Sequence, residues 1–140
     1  MGGGTGRLMT TQSVIQSPPD SWTGSVPEWM FYAALARLGY EDGVDFSYQS
    51  SQFGGRMDKG GLVLDFDFRN PPNLAVNVQG VYYHYHLGAD TKARDIMARE
   101  ACAGLGIHLI FVDEDDLEQD PIGITRDALN YQDRSRLGGR

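Results

Sequence analysis

The sequence is poor in several residue types. It holds one cysteine, Cys102, so neither a disulfide framework nor a cysteine-based zinc site can be assembled within the chain, and a reducing, cytoplasmic setting is expected. It holds two lysines, Lys59 and Lys92, against ten arginines. Its apolar runs last a few residues, far short of the roughly 20 that a membrane-crossing helix needs, so no membrane partner is expected. Met1–Arg7 is followed by no apolar stretch of the kind a secretory signal carries. Positive charge is scarce: 12 Lys and Arg face 19 Asp and Glu, for a net charge of −7, which weighs against nucleic-acid binding. The deficit is local, however. Asp113, Glu114, Asp115, Asp116, Glu118 and Asp120 account for six of the seven net negative charges, so a neutral or basic face elsewhere is compatible with the composition.

What is present is one domain's worth of chain, 140 residues with 41% hydrophobic composition. Residues 1–24 are rich in Gly, Ser, Thr, Gln and Pro and read as a flexible arm that orders against a protein partner. The domain proper is expected over 25–131. Ser25-Val-Pro-Glu28 fits a capping box, and Trp29, Tyr32, Ala33, Leu35, Ala36 and Leu38 recur at helical spacing, predicting a helix over about 26–38. Strands are predicted over 44–49, 62–68 and 74–79. Between them lie turn signals at the glycine pairs flanking Arg56–Lys59 and at Asn70–Asn73. Val81–His86 is ambiguous between strand and loop. A helix follows from about Asp90 to Ala103, then a buried strand over Ile107–Val112. The acidic stretch reads as a loop, followed by a short helix near 124–131 and a polar tail over 132–140. The order α-β-β-β-α-β predicts an α+β domain, an α/β sandwich with a central mixed sheet and a helix on each face.

Alternation along the strands isolates a polar group. Leu62, Leu64, Phe66 and Phe68 are expected on one face, with Val63, Asp65 and Asp67 on the other; Val76 and Val78 oppose Asn77 and Gln79. Adjacent strands then project two acids and two amides toward one place, with His84 and His86 a few residues on. A merely solvated sheet face explains the same pattern, and at this level both readings stand.

Several short motifs add to this: Ala75-Val-Asn-Val-Gln-Gly-Val-Tyr-Tyr-His84, Arg94-Asp95-Ile-Met-Ala-Arg99, Gly104-Leu-Gly106 and Ile107–Val112. In this order, after an acid in the preceding strand, they resemble the PD-(D/E)XK nuclease superfamily, and more closely the very-short-patch-repair endonucleases and their small bacterial relatives. The resemblance spans roughly residues 26–117 and implies a restriction-endonuclease-like core. It places Asp65 at the family's metal-binding Asp and Asn77 where many members have a metal-binding Glu. Gln79 falls where the superfamily has its Lys, or close relatives an Asp or His. His84 falls at an active-site histidine, and Glu28 on the first helix where a supporting Glu is often found. The implied cofactor is Mg²⁺ or Mn²⁺, and the implied substrate is DNA.

The chain departs from the pattern at two central positions, since Asn77 carries no charge and Gln79 no useful basicity. Three readings follow. His84 serves as the proton-transfer group; or Asp67, on the face of Asp65, is a second metal ligand; or the site is inactive and the fold is a structural or DNA-binding subunit of a larger assembly. A phage or mobile-element protein, cytoplasmic or carried in a virion, fits the last. Arg56, Lys59 and Arg94 are the candidate DNA contacts, with Arg69 and Arg99 adding charge and Tyr82, Tyr83 and Tyr85 available for stacking. The arm and the arginines of the tail (Arg134, Arg136, Arg140) suit docking onto an assembly.

Overall fold

The computed structural model describes residues 15–49, 57–59, 62–80 and 89–137. The predicted positions at Arg56 and over Val81–His86 lie outside the described residues, as does most of the arm. Helix α1 (Val26–Arg37) begins where the capping box predicts: the Glu28 N–H donates to Ser25 Oγ, and Glu28 returns its carboxylate to the Ser25 N–H. Gly39, at a φ of 93°, follows its end.

The elements that follow are β1 (Phe46–Tyr48), β2 (Met57–Lys59), β3 (Leu62–Leu64), β4 (Phe66–Phe68), β5 (Leu74–Gln79), α2 (Ala89–Gly104), β6 (His108–Asp113), α3 (Glu114–Gln119) and α4 (Pro121–Leu129). The central sheet has the order β1-β4-β5-β6, and β2 and β3 form a separate two-stranded ribbon. β1, β4 and β5 run as an antiparallel meander, while β6 lies parallel to β5. Helix α2 makes the crossover that a parallel pair requires. The result is an α+β domain with a mixed sheet, as the element order predicts.

Helices cover both faces of the sheet. On one, Phe31 and Leu35 of α1, Leu117 of α3 and Ala128 and Leu129 of α4 pack on Phe46, Phe66, Phe68, Val76 and Ile110. On the other, Cys102 and Ile96 of α2 pack with Leu64, Ala75, Leu109 and Phe111. Burial, and then the Asp67 charge, push the Cys102 thiol up, away from the reactive thiolate.

Three sequence expectations change here. The strand predicted over 62–68 breaks at Asp65. Leu64 therefore packs under α2, while Phe66 and Phe68 pack under α1, rather than sharing one face. A one-residue break reverses every later side chain. The acidic stretch, expected as a loop, contains α3. Glu114, Asp115 and Asp116 occupy its first turn, where negative charge complements the helix dipole, and Leu117 anchors it in the core. The last helix starts earlier than expected, at Pro121, because Asp120 accepts the Gly123 N–H.

Both ends of the described chain lie on the domain. The Trp29 indole N–H donates to the Gln16 carbonyl at 2.7 Å, and the Trp22 ring stacks on Tyr48 at 4.9 Å. At the other end Asp133 accepts the Phe111 N–H at 3.0 Å and Leu137 is buried under α2. This tail covers the outer edge of β6, an edge strand otherwise open to pairing.

Among the described residues, Thr125 Oγ1 is a buried side-chain oxygen with no hydrogen-bond partner. Thr125→Val keeps the shape and removes the unmet hydroxyl. It is expected to raise stability by about 1 kcal/mol, read from urea midpoints at unchanged slope.

Candidate functional site

Asp65 and Asn77 meet where β4 begins, and Gln79 follows two residues on at the end of β5. The pairing of β4 with β5 reaches Phe66 opposite Val76 and stops. Beyond it the Val78 N–H donates to Asp65 Oδ2 at 3.1 Å, and the Asp65 N–H donates to Asn77 Oδ1 at 2.8 Å. The Asp65 carboxylate thus continues the ladder that the strand break interrupts. It is 9% exposed.

Asn77 and Gln79, two residues apart on β5, share the face on which Ala75 packs under α2. Gln79 is 1% exposed, and its Nε2 donates to Asp95 Oδ2 of α2 at 2.8 Å. Sequence reasoning did not single out Asp95; its only signal was its place in the Arg94–Arg99 motif.

On the other side of β5, Asp113 lies opposite Gln79 in register. Asp113 is fully buried, and Arg136 of the tail meets it through guanidinium and backbone N–H at 2.8 and 3.1 Å. The same guanidinium reaches Asp115 at 2.6 Å. Its hydrogen bonds and charge hold the Asp115 carboxyl below the usual carboxylate range. Asp113, Asp115 and Asp116 bring ligand atoms within 4.8 Å of one another, but this cluster carries Arg136 as its own counter-charge.

The other predicted residues are placed differently. Asp67, half-buried, lies one strand period away, opposite Ala75, where its charge acts on Cys102. Glu28 is buried on α1, and its carboxylate takes the Tyr48 hydroxyl and the Ser25 N–H. Arg94 is exposed on α2, and Lys59 ends β2. His84, His86 and Arg56 lie outside the described residues. Arg69 and Arg99, expected to add charge around the site, are used within the fold. Arg69 donates to the Val44 and Phe46 carbonyls and to Ser47 Oγ. Arg99 donates to the Leu137 carbonyl and lies over the Phe111 ring.

A hard divalent cation takes oxygen ligands, which Asp65 would supply from its carboxylate and Asn77 and Gln79 from their amide carbonyls; of these, Asn77 Oδ1 accepts the Asp65 N–H, Asp65 Oδ2 accepts the Val78 N–H, and the Gln79 NH₂ faces the Asp95 carboxylate. Among the described residues no helix is long and apolar enough to cross a membrane. No family model, curated protein or solved structure matches the chain.

Proposed function

We propose that the protein is a small metal-dependent DNA endonuclease or nicking enzyme with a restriction-endonuclease-like core, closest in kind to the very-short-patch-repair enzymes. One observation carries the reading: a nearly buried carboxylate, Asp65, is held at the junction of two central strands by Asn77 and the Val78 N–H. The element order, with a helical crossover into a parallel strand, supports it. Bound Mg²⁺ or Mn²⁺ would activate a water and neutralise charge on the scissile phosphate. Asp65 would hold the cation, and Asn77 keeps Asp65 in place through its backbone N–H. Gln79 orients water as a neutral acceptor without taking its proton, and that proton is assigned to His84. Arg56, Lys59 and Arg94 are assigned to DNA phosphates.

A second reading is an inactive nuclease fold serving an assembly, with the N-terminal arm as its docking element. It is favoured by the neutrality of Asn77 and Gln79 and by their use in internal hydrogen bonds. Calorimetric titration with Mg²⁺ and Mn²⁺, beside nicking of supercoiled plasmid with and without chelator, separates the two. Metal binding with chelator-sensitive nicking is expected. Neither binding nor nicking at millimolar metal would overturn the enzymatic reading in favour of the second.

A further inference from the structure

Residues 16–24 lie against α1 and β1 with no helix or strand of their own. Pro19, Asp20, Ser21 and Thr23 are exposed, and a turn closed by the Trp22 N–H on the Pro19 carbonyl, at 2.9 Å, brings Trp22 onto the domain. The Trp22 ring lies 5.1 Å from Trp29, 5.1 Å from Tyr32 and 4.9 Å from Tyr48. Those three rings also meet one another, Tyr32 lying 5.9 Å from Trp29 and 6.0 Å from Tyr48. Underneath, Tyr32 packs on Phe46 and Tyr48 on Phe66, and both phenylalanines are buried. Trp22 therefore rests on a layer that itself covers the core. The Trp29 indole N–H donates to the Gln16 carbonyl at an exposed place, where water offers the same bond.

Gly24, two residues after Trp22, passes so close to the domain that it admits no side chain. A Cβ there would overlap the Tyr48 hydroxyl oxygen and lie 2.7 Å from Glu28 Oε1. The Tyr48 hydroxyl donates to that same carboxylate oxygen. A side chain at residue 24 has to break this pair or lift the segment. We propose that residues 16–24 form a detachable strap: Trp22 is its plug, and release of the plug opens the segment as a unit over a folded domain, uncovering Trp29, Tyr32 and Tyr48 as one aromatic face. Segments with few buried apolar contacts and exposed backbone are those that open locally, well below the free energy of global unfolding.

Hydrogen exchange resolved by peptide, on the full chain, tests this. Residues 15–24 are expected to exchange at least about 10²-fold faster than β5, at a rate that low urea leaves unchanged, because opening the strap exposes little surface. Exchange in step with β5 would overturn the strap and make the segment part of the core. Exchange at the rate of an unfolded peptide would overturn it as well, by showing no docked state. Trp22→Ala is expected to speed exchange of residues 15–24 about 10-fold while lowering the melting temperature by no more than about 3 °C. Gly24→Ala is expected to act in the same direction, and less so in a Tyr48→Phe background, which lacks the oxygen nearest to the added Cβ. If Trp22→Ala speeds β5 as much as residues 15–24, or leaves both at the wild-type rate, the plug role fails.

Discussion

An Asp65→Asn protein is expected to fold as the wild type does and to lose metal-dependent nicking by about 10²-fold or more, whereas Asp65→Ala loses both activity and stability. The two variants separate two roles of one side chain. Oδ2 of Asp65 takes the Val78 N–H that β4 does not reach. Asparagine retains an oxygen for that N–H, so the ladder stays closed. What it loses is the negative charge. Metal-assisted charge stabilisation is worth several kcal/mol in the transition state, and about 1.4 kcal/mol corresponds to each tenfold in rate. Alanine also leaves the Val78 N–H without its acceptor, at a cost of about 1–3 kcal/mol. Plasmid nicking and thermal melting on the three proteins give the answer. An Asp65→Asn protein that nicks at the wild-type rate would reduce Asp65 to a ladder-closing residue.

Arg136→Ala is expected to cost about 3 kcal/mol, a large share of the roughly 5–15 kcal/mol available to a domain. At this chain length that lowers the melting temperature by about 10 °C. The reason lies in Asp113, which is fully buried, and whose guanidinium partner the substitution removes. The Arg136 backbone N–H remains on Asp113 but brings no full charge. Replacing Asp113 by Asn in the same protein removes the stranded charge and is expected to recover part of the loss, because an unpaired buried charge costs more than a neutral pair. The pH dependence has a defined sign. Asp115 titrates below its usual value in the folded protein because Arg136 bonds it, so its contribution is complete above about pH 4 and is lost as pH falls through the lowered value. Arg136→Ala should abolish that part of the acid sensitivity, read from urea midpoints taken at successive pH values.

The parts of the fold legible in the sequence are those where local chemistry and packing agree. Ser25 and Glu28 predict the start of α1 because capping is a matter of three residues. The run Leu74–Gln79 predicts β5 because alternation persists through it. The break at Asp65 was not legible. The apolar and acidic residues continue to alternate across it, while the cause is the Asn77 side chain of a neighbouring strand. α3 was hidden because six acids in eight residues look like a solvated loop until Leu117 has a core to enter. That Asn77 and Gln79 share one face of β5 followed from strand periodicity, but the contact between Asn77 and Asp65 did not, because it forms at the break. Asp95 did not, since its approach to Gln79 depends on how α2 lies across the sheet. Nor did the docking of Asp133 and Arg136, which bind β6 through side-chain and backbone contacts with no sequence period.

The aromatic corner at the start of the chain also determines what spectroscopy of this protein reports. Its two tryptophans, Trp22 and Trp29, lie edge to face at 5.1 Å, and both contact Tyr32. Emission from the whole protein therefore originates at one place, where residues 15–24 lie against α1 and β1. Lifting that segment would remove the Trp22–Tyr48 stack and change the signal sharply. A cation arriving beside Gln79, under α2 on the opposite face of the sheet, would leave it almost untouched. Intrinsic fluorescence is thus a reporter for the N-terminal segment, and the metal and DNA binding proposed for Asp65 would have to be followed by a probe carried by the metal or the DNA.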